Sequence, residues 1–114
     1  MNFSLEKIEK YCKDFSFKDS PLLSDLTEST WSSEKLPQML SGSLVGGLLQ
    51  TIIRISGAVN ILEIGMFTGY SALKMAEALP ENGKIHTCEL KIGRAHVWTP
   101  VTRSSRMPSS AWKK

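Results

Sequence analysis

The chain has 114 residues, which allows one domain at most. Hydrophobic residues make up 41% and charged residues 22%, as in ordinary globular domains. Residues 1–90 carry 8 basic and 11 acidic side chains, whereas residues 91–114 carry 6 basic and no acidic ones, so the net charge of +3 comes entirely from the tail. This distribution excludes a polyanion-binding surface before residue 91, and we expect no nucleic-acid partner.

Cysteine use and the N-terminus predict the compartment. Cys12 and Cys88 match neither a disulfide framework nor a metal motif, and free thiols suit a reducing cytosol. The N-terminus lacks the basic and apolar regions of a signal peptide. No stretch approaches the roughly 18–20 apolar residues that would cross a membrane. We therefore expect a cytoplasmic protein without a membrane partner.

Two amphipathic helices are predicted first. Leu5, Ile8 and Cys12 recur at three- and four-residue spacing and predict a short helix. Ser20 and Pro21 are typical of an N-cap and a first helical residue, so they predict the start of the second helix. The expected apolar face of this second helix consists of Leu22, Leu23 and Leu26.

A third helix is predicted from Ser43 to about Ser56, after a loop at residues 37–42. Gly57 is a plausible C-cap for this helix. The helix is strongly apolar and is therefore expected to be well buried. One stripe consists of Leu44, Leu48, Ile52 and Ile55, and Val45, Leu49 and Ile53 lie beside it.

The pattern then changes to that of a βαβ unit. Asn60–Ile64 is a short run typical of a buried parallel strand. A helix is expected from about Tyr70 to Leu79, a turn over residues 80–83, and a second strand over Lys84–Leu90. Such a unit opens a doubly wound sheet and places the chain in the α/β class.

The turn between the first strand and its helix indicates a nucleotide-like cofactor. Gly65 and Gly69 lack a Cβ and so permit close approach of the backbone to a ligand. Ser71 adds a hydroxyl at the start of the helix, where backbone N–H groups are free. Glu89 follows Gly69 by 20 residues, the spacing of an acid that accepts hydrogen bonds from ribose hydroxyls.

The position and charge of Glu63 indicate which class of cofactor is bound. The pattern around it is E-x-G-x-x-x-G, not the G-x-G-x-x-G of dinucleotide sites. A carboxylate is poorly placed beside a diphosphate, but it is electrostatically favourable beside a cationic sulfonium that carries an amino group. An NAD-dependent oxidoreductase fragment and a non-catalytic helical interaction module built on residues 1–57 stay open as alternatives.

The segment Ile61–Leu73 (ILEIGMFTGYSAL), with MAEALPENGK after it, closely resembles the caffeoyl-CoA/catechol O-methyltransferase-like family. The resemblance covers about residues 20–90. It implies the N-terminal helices and first βαβ unit of a Rossmann-like class I fold, truncated after the second strand. By this resemblance the positions that match S-adenosylmethionine contacts are Ser41, Glu63, Gly65, Met66, Ser71 and Glu89.

The resemblance also implies what the chain lacks. Family members transfer a methyl group to a hydroxyl of a small catechol-like or phenolic acceptor and usually hold a divalent metal such as Mg²⁺. The metal ligands lie on later strands, so this chain has no matching metal or catalytic residues. We expect the full-length protein to be a homodimeric enzyme and this chain to be an inactive cofactor-binding fragment.

The tail differs in kind from the rest of the chain. Residues 91–114 show no hydrophobic period and are rich in Ser and Arg, which predicts disorder. Residues 92–102 and 105–111 resemble a translated sequencing-library adapter, with Trp98 and Trp112 at its two TGA positions. We therefore expect residues 1–90 to be the methyltransferase fragment and residues 91–114 a non-native tail without function.

Overall fold

The computed structural model describes residues 4–89. The elements in chain order are α1 (Leu5–Asp14), α2 (Pro21–Ser33), a 3-10 turn (Pro37–Met39), α3 (Gly42–Ser56), β1 (Asn60–Ile64), α4 (Tyr70–Ala76) and β2 (Lys84–Cys88). The two strands are parallel, and their register pairs Asn60 with Lys84 and Ile64 with Cys88. The predicted βαβ unit is therefore confirmed.

Local signals determine most helix boundaries. Ser20 and Pro21 begin α2 as expected, although the Ser20 hydroxyl donates to Glu77 (3.0 Å) and caps no backbone group. Gly57 ends α3 in the left-handed conformation, which favours glycine. α4 ends before Leu79, because the last N–H groups bond three residues back, Leu79 to the carbonyl of Ala76. Such bonds tighten the end of a helix into a 3-10 turn.

α3 buries a different face from the expected one. Leu48, Ile52 and Ile55 are exposed, and the buried residues are Gly46, Gln50 and Ile53. A Cβ on Gly46 would lie 2.7 Å from Cγ of Lys74, so glycine lets α3 approach α4 closely. The Gln50 amide also donates to the Lys74 carbonyl (2.7 Å). The expected burial is thus wrong for Leu48, Ile52 and Ile55 and correct for Ile53. The contact face also contains a glycine and a polar side chain, which an apolar pattern does not predict.

Two clusters of buried side chains meet at α4. Met75, Ala76 and Leu79 pack with Ile53 of α3 and Ile85 of β2. The second cluster joins Tyr70, at the start of α4, to Leu23 and Leu26 of α2. Since α4 belongs to both clusters, it connects the helical segment to the sheet.

The sheet is covered on one face. Ile61 and Ile85 face the α3–α4 layer, whereas Leu62 and Ile64 are 67% and 84% exposed. The expectation of a buried β1 is therefore wrong, because three of its five residues are exposed and the other two are half-buried. Parallel strands are usually covered on both faces, and within residues 4–89 one layer of helices packs on this sheet.

One segment is apolar enough to be compared with a membrane span. Pro37–Ser56 has 20 residues and contains an 18-residue window with a mean hydropathy of 1.2, so the expectation that no such stretch exists was wrong on composition. This is weak support for a span, because core helices of soluble proteins have the same composition. The α-helical part has 15 residues, about 22 Å, which is shorter than the roughly 30 Å hydrocarbon layer.

Two sequence expectations lie outside the described residues. The predicted second strand was drawn to Leu90, whereas the structure describes β2 as far as Cys88 and the chain as far as Glu89. The expectation of a disordered, non-native tail concerns residues 91–114. Both stay predictions.

The Gly46 contact can be tested with a neighbouring glycine as control. Gly46→Ala should lower the free energy of unfolding by about 1–3 kcal/mol, because the new Cβ overlaps the buried stem of Lys74. Gly47→Ala meets no atom within 4 Å and should raise it by up to about 1 kcal/mol through helix propensity. Urea unfolding of both variants measures the difference. Equal effects would contradict the close packing of α3 on α4.

Candidate functional site

The turn that follows β1 depends on residues with positive φ. Gly65 (φ 91°) and Gly69 (φ 93°) bracket it, and both angles favour glycine. The N–H groups of Gly65 and Met66 donate to the Cys88 carbonyl (2.8 and 3.2 Å), which joins the turn to the end of β2. The predicted glycine turn therefore lies at the carboxyl end of both strands. We call residues 65–69 the cofactor turn.

Phe67 is the one non-glycine residue with positive φ (54°) among residues 4–89. An aromatic residue in this region is strained by about 1–3 kcal/mol and persists only where its surroundings hold it. Its N–H donates to the Glu89 carboxylate (2.7 Å). The structure thus brings Glu89 to the cofactor turn, where it also supports the turn itself.

Glu63 lies between two hydroxyl groups. Thr87 donates to one carboxylate oxygen (2.6 Å) and Ser71 to the other. Glu63 and Thr87 are register partners on β1 and β2, so their side chains share one face of the sheet. Among the described residues no Lys, Arg or His forms an ion pair with Glu63. Within the described part of the chain, hydroxyl groups and not cations position this carboxylate.

A small surface pocket adjoins the cofactor turn. Its lining combines the segment before α3 with the turn and the first residues of α4: Met39, Leu40, Ser41, Met66, Phe67, Thr68, Tyr70 and Ser71. Three of the six residues expected at the cofactor are therefore in the lining, namely Ser41, Met66 and Ser71. Glu63, Gly65 and Glu89 are outside it, although Glu63 and Glu89 bond to lining residues.

Asp19 was missed from the sequence and holds two residues of α4. It accepts hydrogen bonds from the Tyr70 hydroxyl (2.7 Å) and the Lys74 ammonium (2.7 Å). The Lys74 side chain is 3% exposed. Burial and the hydrogen bond to Asp19 raise the pKa of the Tyr70 phenol above 10.0. No local signal marks Asp19, because it lies 51 residues before Tyr70.

Thr87 was also missed, although the sequence held a signal for it. It precedes Glu89 by two residues, so the alternation of a strand places both side chains on one face. A parallel strand register then sets Thr87 opposite Glu63.

No group of three or more potential metal ligands (His, Cys, Asp or Glu) occurs within residues 4–89, so the described part offers no metal site.

The family model that matches this chain is described as O-methyltransferase and covers residues 13–107. The chain belongs to the O-methyltransferase family. The match extends beyond residue 91 into the tail.

Curated relatives of this O-methyltransferase chain agree with the family assignment. A catechol O-methyltransferase of Niastella koreensis is 33% identical over 89 residues, 77% of this chain and 39% of the relative. Caffeoyl-CoA O-methyltransferase 2 of Petunia hybrida is 41% identical over 56 residues, 49% of this chain and 23% of the relative. The chain thus spans well under half of the length of these relatives. The resemblance read from residues 61–73 is confirmed.

Solved structures support the fold. An SAH-bound methyltransferase of Podospora anserina superposes with a TM-score of 0.68 at 27% identity, over 76% of this chain and 39% of that one. The O-methyltransferase TomG of Streptomyces achromogenes, in complex with SAM, gives 0.64 at 32% identity, over 70% of this chain and 35% of that one. A truncated Rossmann-like arrangement is therefore confirmed for the O-methyltransferase chain.

The raised pKa of Tyr70 predicts a loss of stability at alkaline pH. The unfolded phenol ionises near 10.0, whereas the folded one stays protonated to higher pH, so stability should fall as pH rises above 10.0. Urea unfolding at about pH 9 and about pH 11 measures this fall. Tyr70→Phe cannot ionise and should lose less stability over that interval. The same pH slope in both proteins would refute the assignment.

Proposed function

We propose that this chain is the cofactor-binding part of an S-adenosylmethionine-dependent O-methyltransferase. The observation that carries the proposal is the cofactor turn at the carboxyl ends of two parallel strands, between the carboxylates of Glu63 and Glu89. Ligands of open α/β sheets bind at this edge. The SAM and SAH complexes among the similar structures support the same ligand.

The residues present fit this cofactor. An added Cβ on Gly65 would meet no atom within 4 Å, so the turn backbone is open to a ligand. Glu63 has hydroxyl partners and no cation from residues 4–89, which suits a positively charged ligand group. Glu89 lies at the turn, where a carboxylate could accept hydrogen bonds from ribose hydroxyls. When bound, S-adenosylmethionine supplies an electrophilic methyl group on its sulfonium.

The six candidate residues have proposed roles at the cofactor. Gly65 allows the backbone to approach the ligand, and Glu63, positioned by Ser71 and Thr87, faces its positive charge. Glu89 binds ribose. Ser41 and Met66 contact the ligand from the two sides of the pocket, which includes both residues in its lining.

The acceptor of the whole protein is proposed to be a small catechol-like or phenolic hydroxyl. The catechol and caffeoyl-CoA O-methyltransferases among the relatives support this class. The described residues do not fit a divalent metal, so the proposed Mg²⁺ site belongs to the whole protein. The proposed homodimer is likewise a proposal about the whole protein. Cys12 and Cys88 are free thiols, which supports a reducing compartment such as the cytoplasm.

The proposed role of Glu89 predicts a loss of cofactor affinity. Glu89→Ala should weaken S-adenosylmethionine binding by about 1.5–3 kcal/mol, because charge-assisted hydrogen bonds to ribose are lost. Calorimetric titration of the 114-residue chain with S-adenosylmethionine measures the affinity, and NADH serves as the competing ligand.

Glu81→Ala is the matched control for this titration. It removes the same charge from an exposed turn residue and should leave the affinity unchanged. Equal affinity in Glu89→Ala and the unaltered chain would remove Glu89 from the cofactor site. Tight binding of NADH in place of S-adenosylmethionine would overturn the proposed function.

A further inference from the structure

Thr30 is a buried hydroxyl on α2 that reaches the cofactor turn. It is 1% exposed, and its hydroxyl donates to the Leu26 carbonyl (2.7 Å). It also forms a hydrogen bond of 3.0 Å with the hydroxyl of Thr68. Thr68 is a residue of the cofactor turn and lines the pocket. The contact therefore joins residues that are 38 positions apart in the chain.

Thr68 is the neighbour of the strained residue in the cofactor turn. It lies between Phe67 and Gly69, both of which have positive φ. The Phe67 conformation is strained, so it depends on contacts from outside the turn. Glu89 of the β2 end provides one such contact, through the N–H of Phe67. Thr30 provides another from the helical side.

The packing around Thr30 makes it a stable support. Leu23 and Leu26, on the same helix, pack against Tyr70, the residue that follows the turn. A short, buried hydroxyl between these contacts has little freedom to move. The hydroxyl of Thr30 is therefore the polar group of α2 that contacts the cofactor turn. The sequence pattern of α2 had indicated only an apolar packing face.

We propose that Thr30 is a positioning residue for the cofactor turn. Through Thr68 it holds the Phe67–Gly69 backbone in the conformation that accepts the ligand, and it does so without touching the ligand. The identity of the ligand in this inference rests on the proposed function. The hydrogen bonds that carry it are those of the chain without ligand.

Thr30→Val tests the proposal, because valine keeps the shape and removes the hydroxyl. Thr27→Val is a matched control: Thr27 lies on the same helix, and its hydroxyl makes the same kind of bond to the Leu23 carbonyl (2.8 Å). Within residues 4–89 no hydrogen bond joins Thr27 to the turn. Both variants lose a hydroxyl bond to a carbonyl of α2, at a half-buried position for Thr27 and a buried one for Thr30. Loss of turn support should be specific to Thr30→Val.

Two measurements separate these effects. Amide hydrogen exchange of Phe67 and Gly69 in the free chain, followed by NMR, should accelerate about three- to tenfold in Thr30→Val and stay unchanged in Thr27→Val. The dissociation constant for S-adenosylhomocysteine should rise by a similar factor in Thr30→Val alone. Thr30→Ser restores the hydroxyl and should restore both values.

The outcomes distinguish this inference from the proposed function. Equal exchange rates at Phe67 and Gly69 in the two valine variants would overturn the positioning role, and so would failure of Thr30→Ser to restore them. Absence of S-adenosylhomocysteine binding in the unaltered chain would count against the proposed function. The exchange measurement would then still decide whether Thr30 holds the turn.

Discussion

The buried side chain of Lys74 holds the described elements together. Its stem passes beneath Gly46, where the absence of a Cβ leaves room for it, and its ammonium reaches Asp19 ahead of α2. Gln50 binds the carbonyl of the same residue. Removing one partner from a buried ion pair typically costs about 3–5 kcal/mol, because the other charge stays buried. Lys74 therefore adds polar contacts with α3 and with Asp19, ahead of α2, to the two apolar clusters that join these helices.

This arrangement determines the position of the site. Tyr70 and Ser71 form the first turn of α4 and line the pocket, while Lys74 lies one turn further along. Because Asp19 bonds to both Tyr70 and Lys74, the start of α4 has one orientation relative to α2. The cofactor turn is then held from the sheet side by Glu89 and from the helical side by Thr30. The strained backbone of Phe67 is compatible with folding because these contacts surround it.

The exposed apolar residues have a common explanation in the fold class. A doubly wound sheet carries helices on both faces, and in residues 4–89 one face is covered. Leu62 and Ile64 lie on the open face of the sheet, and α3 has its own exposed stripe at Leu48, Ile52 and Ile55. The family relatives are more than twice as long as the region matched here. Strong apolar patterning in such a chain therefore identifies elements correctly without identifying which faces are in contact.

The sequence by itself determined most of the elements and predicted the candidate site. Pro21, Gly57 and the glycines of the cofactor turn act through their own backbone preferences. Their effects can therefore be predicted without knowing any tertiary contact. The E-x-G-x-x-x-G spacing and the Ile61–Leu73 segment identified the family for the same reason, since they lie on consecutive residues.

Only the tertiary structure decided the contact face of α3 and the supports of the site. Asp19, Thr30 and Thr87 act on residues 24 or more positions away: Asp19 on Tyr70, Thr30 on Thr68, and Thr87 on Glu63. Asp19 and Thr30 resemble ordinary polar residues until the chain has folded, whereas strand alternation already places Thr87 on the same face as Glu89. Hydrogen-bond partners of this kind are determined by where helices and strands meet, which local periodicity does not specify.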